Sequence, residues 1–273
     1  YLGTTHRSIA AEKAGIIKRE TPVFSAVAHP EADRTIRRIA ELRRAPFHSL
    51  DALVPTIEWN PVEGIRFSLP DGTQIAARPA LAGAVQARNA ALASLVVRST
   101  HQTIPADALQ RGVERAWIPG RSELVTGHPR LLLDGAHTAE SVRRVCDLAA
   151  ELEPERTRRV AIFGSVSGKD ARSMLGTLGA GCATVIVTRP GVFKKSDPDG
   201  LLTLCRELST DRLPGLGTPH RCLAADDPGA AVAAARELVP EGLIVVTGSF
   251  YLVGEVRRIV RHVARDTGPE EQR

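Results

Sequence analysis

Four short apolar runs, each ending in a polar, glycine-rich turn, constrain this chain more than any other feature. Leu131-Leu132-Leu133 runs into Asp134-Gly135-Ala136-His137, and Val160-Ala161-Ile162-Phe163 into Gly164-Ser165-Val166-Ser167-Gly168-Lys169-Asp170. Thr184-Val185-Ile186-Val187 precedes Thr188-Arg189-Pro190-Gly191, and Leu243-Ile244-Val245-Val246 precedes Thr247-Gly248-Ser249. Continuous β-branched and leucine runs of this length read as strands buried on both faces, which is the signature of a parallel sheet. In such sheets ligands bind outside the carboxyl ends of the strands. The four turns therefore predict one polar rim, with Asp134, Lys169, Arg189 and Ser249 close to it. A rim of that kind suits an enzyme or a nucleotide binder rather than a scaffold.

Helical and strand periodicities divide the chain into two parts. In the first, 1–117, the pattern predicts a helix near 5–14 with Thr4 or Thr5 as its N-cap, a strand over 22–27 and a basic amphipathic helix over 31–44. Ile57-Glu58-Trp59 and Ile65-Arg66-Phe67-Ser68-Leu69 alternate at period two. Pro70-Asp71-Gly72-Thr73 reads as a turn before a strand at Gln74–Ala77. Helices follow at about 83–98 and 105–115, and Trp117-Ile118-Pro119-Gly120-Arg121 breaks the pattern as a linker does. The second part, 118–273, alternates strand and helix five times and predicts a doubly wound α/β domain. The polar tail from Arg265 reads as frayed. Tyr1 is not a methionine and stands close to a committed helix, so the chain reads as the remainder of a longer protein.

Composition narrows the partners. A net charge of +5 suits an anionic ligand such as a phosphate or carboxylate. The basic pairs Arg37-Arg38, Arg43-Arg44, Arg143-Arg144 and Arg158-Arg159 are dispersed and read as solvated helix edges and strand starts, which argues against nucleic acid. Cys146, Cys182, Cys205 and Cys222 form no CxxC pair and have no histidine at ligand spacing. They read as buried reduced thiols rather than a zinc site or a disulfide framework. No apolar run approaches the roughly 18 residues of a membrane span, and the expectation is a cytoplasmic protein.

One side chain in the first helix stands out. Ile9, Lys13, Ile16 and Ile17 fall at i, i+4, i+7 and i+8, so Lys13 interrupts an apolar stripe. Two readings follow: a lysine that lays its stem on the core and carries its charge to water, or a desolvated, reactive amine.

A series of motifs then runs in order along the chain. They are Glu12-Lys13-Ala14-Gly15-Ile16-Ile17-Lys18 with Thr21-Pro22-Val23, and Gly83-Ala84-Val85-Gln86-Ala87-Arg88-Asn89-Ala90. After these come Pro119-Gly120-Arg121-Ser122-Glu123, Asp134-Gly135-Ala136-His137, Lys169-Asp170, and Thr247-Gly248-Ser249-Phe250-Tyr251-Leu252-Val253-Gly254-Glu255-Val256-Arg257. The set resembles the folylpolyglutamate synthase and dihydrofolate synthase family of the Mur ligase superfamily, and the order across nearly the whole chain makes it specific. The resemblance implies the later part of a Mur-ligase central ATPase domain (1–117) followed by a Rossmann-like ligase domain (118–273).

It also implies an ATP-dependent amide ligase in folate biosynthesis and one-carbon metabolism, with ATP and Mg2+ as cofactors. A folate or dihydropteroate carboxylate takes the γ-phosphoryl group, and the amine of L-glutamate attacks the acyl phosphate. By that resemblance Lys13 is a catalytic lysine whose carbamate positions magnesium. Asn89 lies near the adenine, Arg121 reaches the ATP phosphates and Asp134 lies near the nucleotide. His137 is catalytic and faces phosphate and incoming glutamate, and Ser249 lies on the glutamate side. The full-length protein would act as a monomer, with no nucleic-acid or membrane partner.

The chain also departs from the family pattern. A phosphate loop of the form GTNGKGS and the Asp-His before the first Leu-Gly fall before Tyr1. The expectation is therefore that residues 1–116 are an incomplete fold that self-associates, and that this chain alone is inactive. Val85 stands where the family has His, Thr138 where it has Asn, and Gly168 where it has Asp. The sequence leaves two alternatives open: a cell-wall Mur ligase, and a nucleotide- or folate-binding module without turnover.

Overall fold

A computed structural model describes residues 5–191, 195–210 and 220–266. The chain divides into two compact units, Tyr1–Pro79 with Gly83–Ala116, and Ala80–Ala82 with Trp117–Arg273. Ala80–Ala82 joins the second unit because Leu81 bridges Glu123 and Ala82 N–H donates to Ser122 O at 3.1 Å. A single cut at 117/118 leaves those residues with the first.

The first unit begins with α1 (His6–Ala14), β1 (Val23–Ser25), α2 (Pro30–Leu42), β2 (Phe47–Ser49) and α3 (Leu50–Leu53). It continues with β3 (Ile57–Asn60), β4 (Gly64–Ser68), β5 (Gln74–Ala77), α4 (Ala84–Thr100) and α5 (Ala106–Glu114). Thr5 caps α1 in a reciprocal box with Ser8, which satisfies two of the orphan N–H groups of the helix start; Thr4 lies outside the described residues. β1 and β2 pair in parallel, and β3-β4-β5 form an antiparallel meander. The meander buries Ile65, Phe67 and Ile75 against Ala87, Ala91 and Leu95 of α4.

Between β4 and β5 the turn follows its sequence: Asp71 Oδ1 accepts from Thr73 N at 3.0 Å, and Gly72 supplies the left-handed backbone at φ +83°. Arg98 of α4 closes on the same carboxylate. The Thr73 backbone bond and then Arg98 lower the Asp71 carboxyl to about 2. A depressed carboxyl favours the folded state above its unfolded value near 3.8. That contribution is lost as pH falls through about 2, and it is small because the pair faces water. In Arg98→Gln, a carbon-13 titration of Asp71 should find a midpoint moved part of the way back to the ordinary value. An unmoved midpoint would leave the Thr73 turn as the whole cause.

The second unit is a six-stranded sheet in the order β10-β9-β8-β11-β7-β6. Its strands are β6 (Glu123–Val125), β7 (Arg130–Leu133), β8 (Arg159–Phe163), β9 (Thr184–Val187), β10 (Arg221–Ala224) and β11 (Leu243–Thr247). All neighbours pair in parallel except β6, which runs antiparallel to β7. The helices are α6 (Ala139–Leu152), α7 (Ala171–Gly181), α8 (Pro198–Thr210), α9 (Pro228–Leu238) and α10 (Phe250–Asp266). Leu131, Leu133, Val160, Ile162, Ile244 and Val246 pack with α9 and α10 residues in one core. The alternate residues Leu132, Ala161, Val185 and Val245 are also fully buried, as a sheet covered on both faces requires. The expected α/β fold is the one observed. α10 carries the chain through Arg265 to Asp266, and the rest of the tail, 267–273, lies outside the described residues.

Three sequence expectations are corrected. Cys205 and Cys222 are joined in a disulfide with Cα atoms 6.1 Å apart, because α8 packs beside β10 and closes a 17-residue separation that spacing alone does not reveal. Cys146 and Cys182 are buried and free, and burial pushes the Cys182 thiol up to about 12. Arg159 is buried rather than solvated, since it opens the central strand β8. Lys13 does not lie in an apolar stripe. α1 ends at Ala14, so the helical spacing does not extend to Ile16, which is 79% exposed. The buried side of this segment is Ala10, Ala14 and Ile17, and Lys13 faces water.

Candidate functional site

The carboxyl ends of β7, β8, β9 and β11 lie on one edge of the sheet, and backbone hydrogen bonds tie the turns that follow them together. Asp134 N donates to Val246 O (3.0 Å), Gly248 N to Ala136 O (2.9 Å) and Thr188 N to Phe163 O (2.9 Å). The loop before β6 joins the same edge through Gly135 N to Gly120 O at 2.9 Å. Arg121, Asp134, His137 and Ser249 are thereby brought together on the second unit. Lys169 and Arg189 stand exposed in the turns after β8 and β9. Lys13 and Asn89 belong to the first unit, where both are exposed; Asn89 Nδ2 donates to Gln86 Oε1 at 3.1 Å within α4.

Glycines let these turns approach α10. A Cβ on Gly135 would stand 2.4 Å from the Phe250 ring, and one on Gly120 would stand 2.7 Å from Val253. Gly120 also sits at φ +66°, where side chains are rarely tolerated. The next residue but one, Ser122, adopts φ +42° without being glycine. Asp134 holds it there: its Oδ2 accepts from Ser122 N (2.8 Å) and Oγ (3.2 Å), while its Oδ1 accepts from Ala136 N (2.9 Å). Burial raises the Asp134 carboxyl above its ordinary value, opposed by the Ser122 and Ala136 bonds and by the charge of Arg121. Both oxygens serve the two loops, so Asp134 shapes the rim as a positioning residue.

Between Gly120 and Ser122, Arg121 projects into solvent with its guanidinium over the Phe250 ring, 5.4 Å from the centroid. Glu123 anchors the loop from beneath. It is 5% exposed and accepts from Gly120 N (2.8 Å), Trp117 Nε1 (3.2 Å) and Arg257 Nε (2.9 Å). Arg257 lies in turn over the Trp117 ring. His137 is exposed, and its Nδ1 is 3.1 Å from Gly135 O. With that nitrogen as the donor, Nε2 is left as the basic atom.

Thr138 caps α6 in a box with Ser141, so His137 directly precedes a helix start with its partial positive charge. Here the Thr138 departure has a local reason: a hydroxyl in place of an amide still caps the helix. Gly168 also has one, in its left-handed backbone at φ +87°. Ser249 is buried, and its Oγ accepts from Tyr251 N at 3.1 Å at the start of α10. The sequence signalled Glu123 and Phe250 only as members of motifs. Their anchoring contacts span up to 134 positions and are set by the fold.

Residues 120–250 match the family model of the Mur ligase glutamate ligase domain. The dihydrofolate synthase/folylpolyglutamate synthase of Bacillus subtilis is 37% identical over 181 residues, 64% of this chain and 42% of that protein. The folylpolyglutamate synthase of Lacticaseibacillus casei is 27% identical over 269 residues, 94% of this chain and 58% of its own length. The chain thus spans about half the length of these curated relatives. In structure it matches the Mycobacterium tuberculosis folylpolyglutamate synthase complexed with ADP and AMPPCP, with a TM-score of 0.78 at 24% identity, over 100% of this chain and 62% of that one. No helix among the described residues is long and apolar enough to cross a membrane. The shared motifs, the matched ligase domain and the shared fold together make this chain similar to the folylpolyglutamate synthase/dihydrofolate synthase family of Mur ligases.

Proposed function

We propose that the protein containing this chain is an ATP-dependent ligase that adds L-glutamate to a folate or dihydropteroate carboxylate through an acyl phosphate. One observation carries the reading. Arg121 is held on a loop pinned by Asp134 and Glu123, on the rim that also carries His137 and the capped start of α6. A fixed cation and a helix N-terminus aimed at solvent suit an anionic substrate whose charge grows during phosphoryl transfer, since they need no rearrangement as that charge develops. Arg121 would neutralise phosphate oxygens, and His137 Nε2 would accept a proton from the incoming ammonium before its attack.

Names of relatives support the substrate class, and the ADP and AMPPCP of the mycobacterial structure support ATP as the nucleotide. Asn89 near the adenine and Ser249 on the glutamate side rest on motif position. The hydroxyl of Ser249 already serves as a cap, and the amide of Asn89 already bonds Gln86.

Magnesium is a different matter. Among the described residues, the groupings that could hold an ion are Cys205 with His220 and Cys222, and His6 with His29 and Glu31. Neither is the carboxylate-rich oxygen set that magnesium prefers, and Lys13 stands in water. A carbamate on Lys13 rests on its motif alone. The same reading makes the full-length protein a cytoplasmic monomer without nucleic-acid or membrane partners, in keeping with its mild and dispersed positive charge.

Incubation of the full-length protein with ATP, labelled glutamate and either dihydropteroate or tetrahydrofolate should give a labelled pterin conjugate and ADP. Nucleotide binding without conjugate would make it a binding module. Conjugate formed solely on a nucleotide-linked muramyl substrate would make it a cell-wall ligase.

A further inference from the structure

Away from the rim, at the outer edge of the sheet, the fold gathers a side-chain group that the proposed reaction does not use. Cys205 comes from α8, whereas His220 precedes β10 and Cys222 lies two positions further on, on the same side of the chain. The two sulfurs and an imidazole nitrogen lie within 4.8 Å of one another. Cys205 is fully buried and His220 is 7% exposed. His220 Nε2 stands 3.7 Å from Cys205 Sγ.

We propose that, with its thiols reduced, this cluster is a binding site for a zinc-class divalent cation, held by Cys205 Sγ, Cys222 Sγ and His220 Nε2. A disulfide by itself needs no imidazole, yet the structure makes room for one. A Cβ on Gly179 of α7 would stand 2.3 Å from the His220 ring, so only glycine there admits it. Ser209 Oγ donates to His220 O at 2.6 Å and fixes the backbone behind the ring.

Zn–S near 2.3 Å and Zn–N near 2.0 Å at a tetrahedral centre separate sulfur from nitrogen by about 3.5 Å, close to the observed spacing. Two thiolates and an imidazole are a zinc-class set, whereas magnesium and calcium take oxygen ligands. Binding releases the two thiol protons to solvent and leaves the fourth position to water. Disulfide and ion are alternatives, because both claim the same sulfurs.

The test uses chelator-treated protein reduced with a phosphine and titrated with Co2+, then with Zn2+. One equivalent of Co2+ should bind, with thiolate-to-cobalt charge-transfer absorption and the visible bands of a tetrahedral ion, and Zn2+ should displace it. Cys222→Ser should abolish the charge-transfer signal or weaken binding at least tenfold. The Cys146→Ser, Cys182→Ser double variant should bind as wild type. Gly179→Ala, which displaces the ring but spares both thiols, should weaken binding by about 10–100-fold.

If a variant fails to fold, the wild type decides alone: the oxidised form should take up no Co2+ and the reduced form one equivalent. Reduced protein that takes up none, or equal uptake by both forms, overturns the proposal.

Discussion

Glu123→Ala is expected to destabilise the second unit by about 3–5 kcal/mol, the range for breaking a buried ion pair by removing one partner. The side chains of Arg257 and Glu123 are 18% and 7% exposed, and their closest approach is 2.9 Å. Arg257 Nη2 is already buried without a hydrogen-bond partner, so removing Glu123 strands a guanidinium that burial has stripped of most of its water. Two further donors, Gly120 N and Trp117 Nε1, lose their acceptor at the same time. Glu123→Gln keeps the shape and one acceptor oxygen and should cost less. Urea unfolding followed by tryptophan fluorescence and by circular dichroism measures both. A loss below about 1 kcal/mol for the alanine variant would put this pair in the class of exposed salt bridges, and the picture of Glu123 as the anchor of the Arg121 loop would fail.

Arg121→Ala should leave folding intact, since the side chain is exposed, and lower ligase turnover by about 10²–10³, the usual loss for one preorganised electrostatic donor. Arg121→Lys should restore little. A point charge on a flexible stem cannot reproduce a planar fork that lies over the Phe250 ring. Lys13→Ala belongs in the same assay of glutamate incorporation by the full-length protein. If Lys13 carries a carbamate, turnover should fall by a similar factor and a short-chain carboxylic acid should recover part of it. Near-wild-type turnover in Lys13→Ala would leave it an exposed surface lysine. Near-wild-type turnover in Arg121→Ala would remove the charge argument on which the proposed reaction rests.

Local signals carried most of the second unit. The apolar runs at 131–133, 160–163, 184–187 and 243–246 are strands because both faces of each are covered, and their turns share an edge because parallel pairing leaves no other arrangement. Thr5 and the Asp71 turn were legible for the same reason: cap and turn bonds reach two or three residues. What the sequence concealed depends on distant partners. β2 is three residues long and is defined by pairing with β1. The Cys205–Cys222 bond needs α8 beside β10, and Arg159 is buried because its strand is central. Lys13 failed differently. An i, i+4, i+7, i+8 count assumes a helix that continues, and this one stops at Ala14. At the site, the motif positions of Arg121 and Asp134 were visible, but the division of labour between them was not. Three hydrogen bonds show that the carboxylate holds loops while the guanidinium faces out.

The strand order has a consequence for how the chain is made. β11 lies between β7 and β8 and pairs with both, although it is synthesised about 80 residues after β8, a delay set by the connectivity of the sheet. Until Leu243–Thr247 leaves the ribosome, the strands already made can form at most two partial sheets, β6 with β7 and β8 with β9 and β10, because the strand that joins them is missing. Insertion of that one strand unites them, and in the same step it brings the turns after β7 and β8 into contact through Gly248 and Thr247. Closure of the sheet and assembly of the rim are thus one late event in the biosynthesis of this domain.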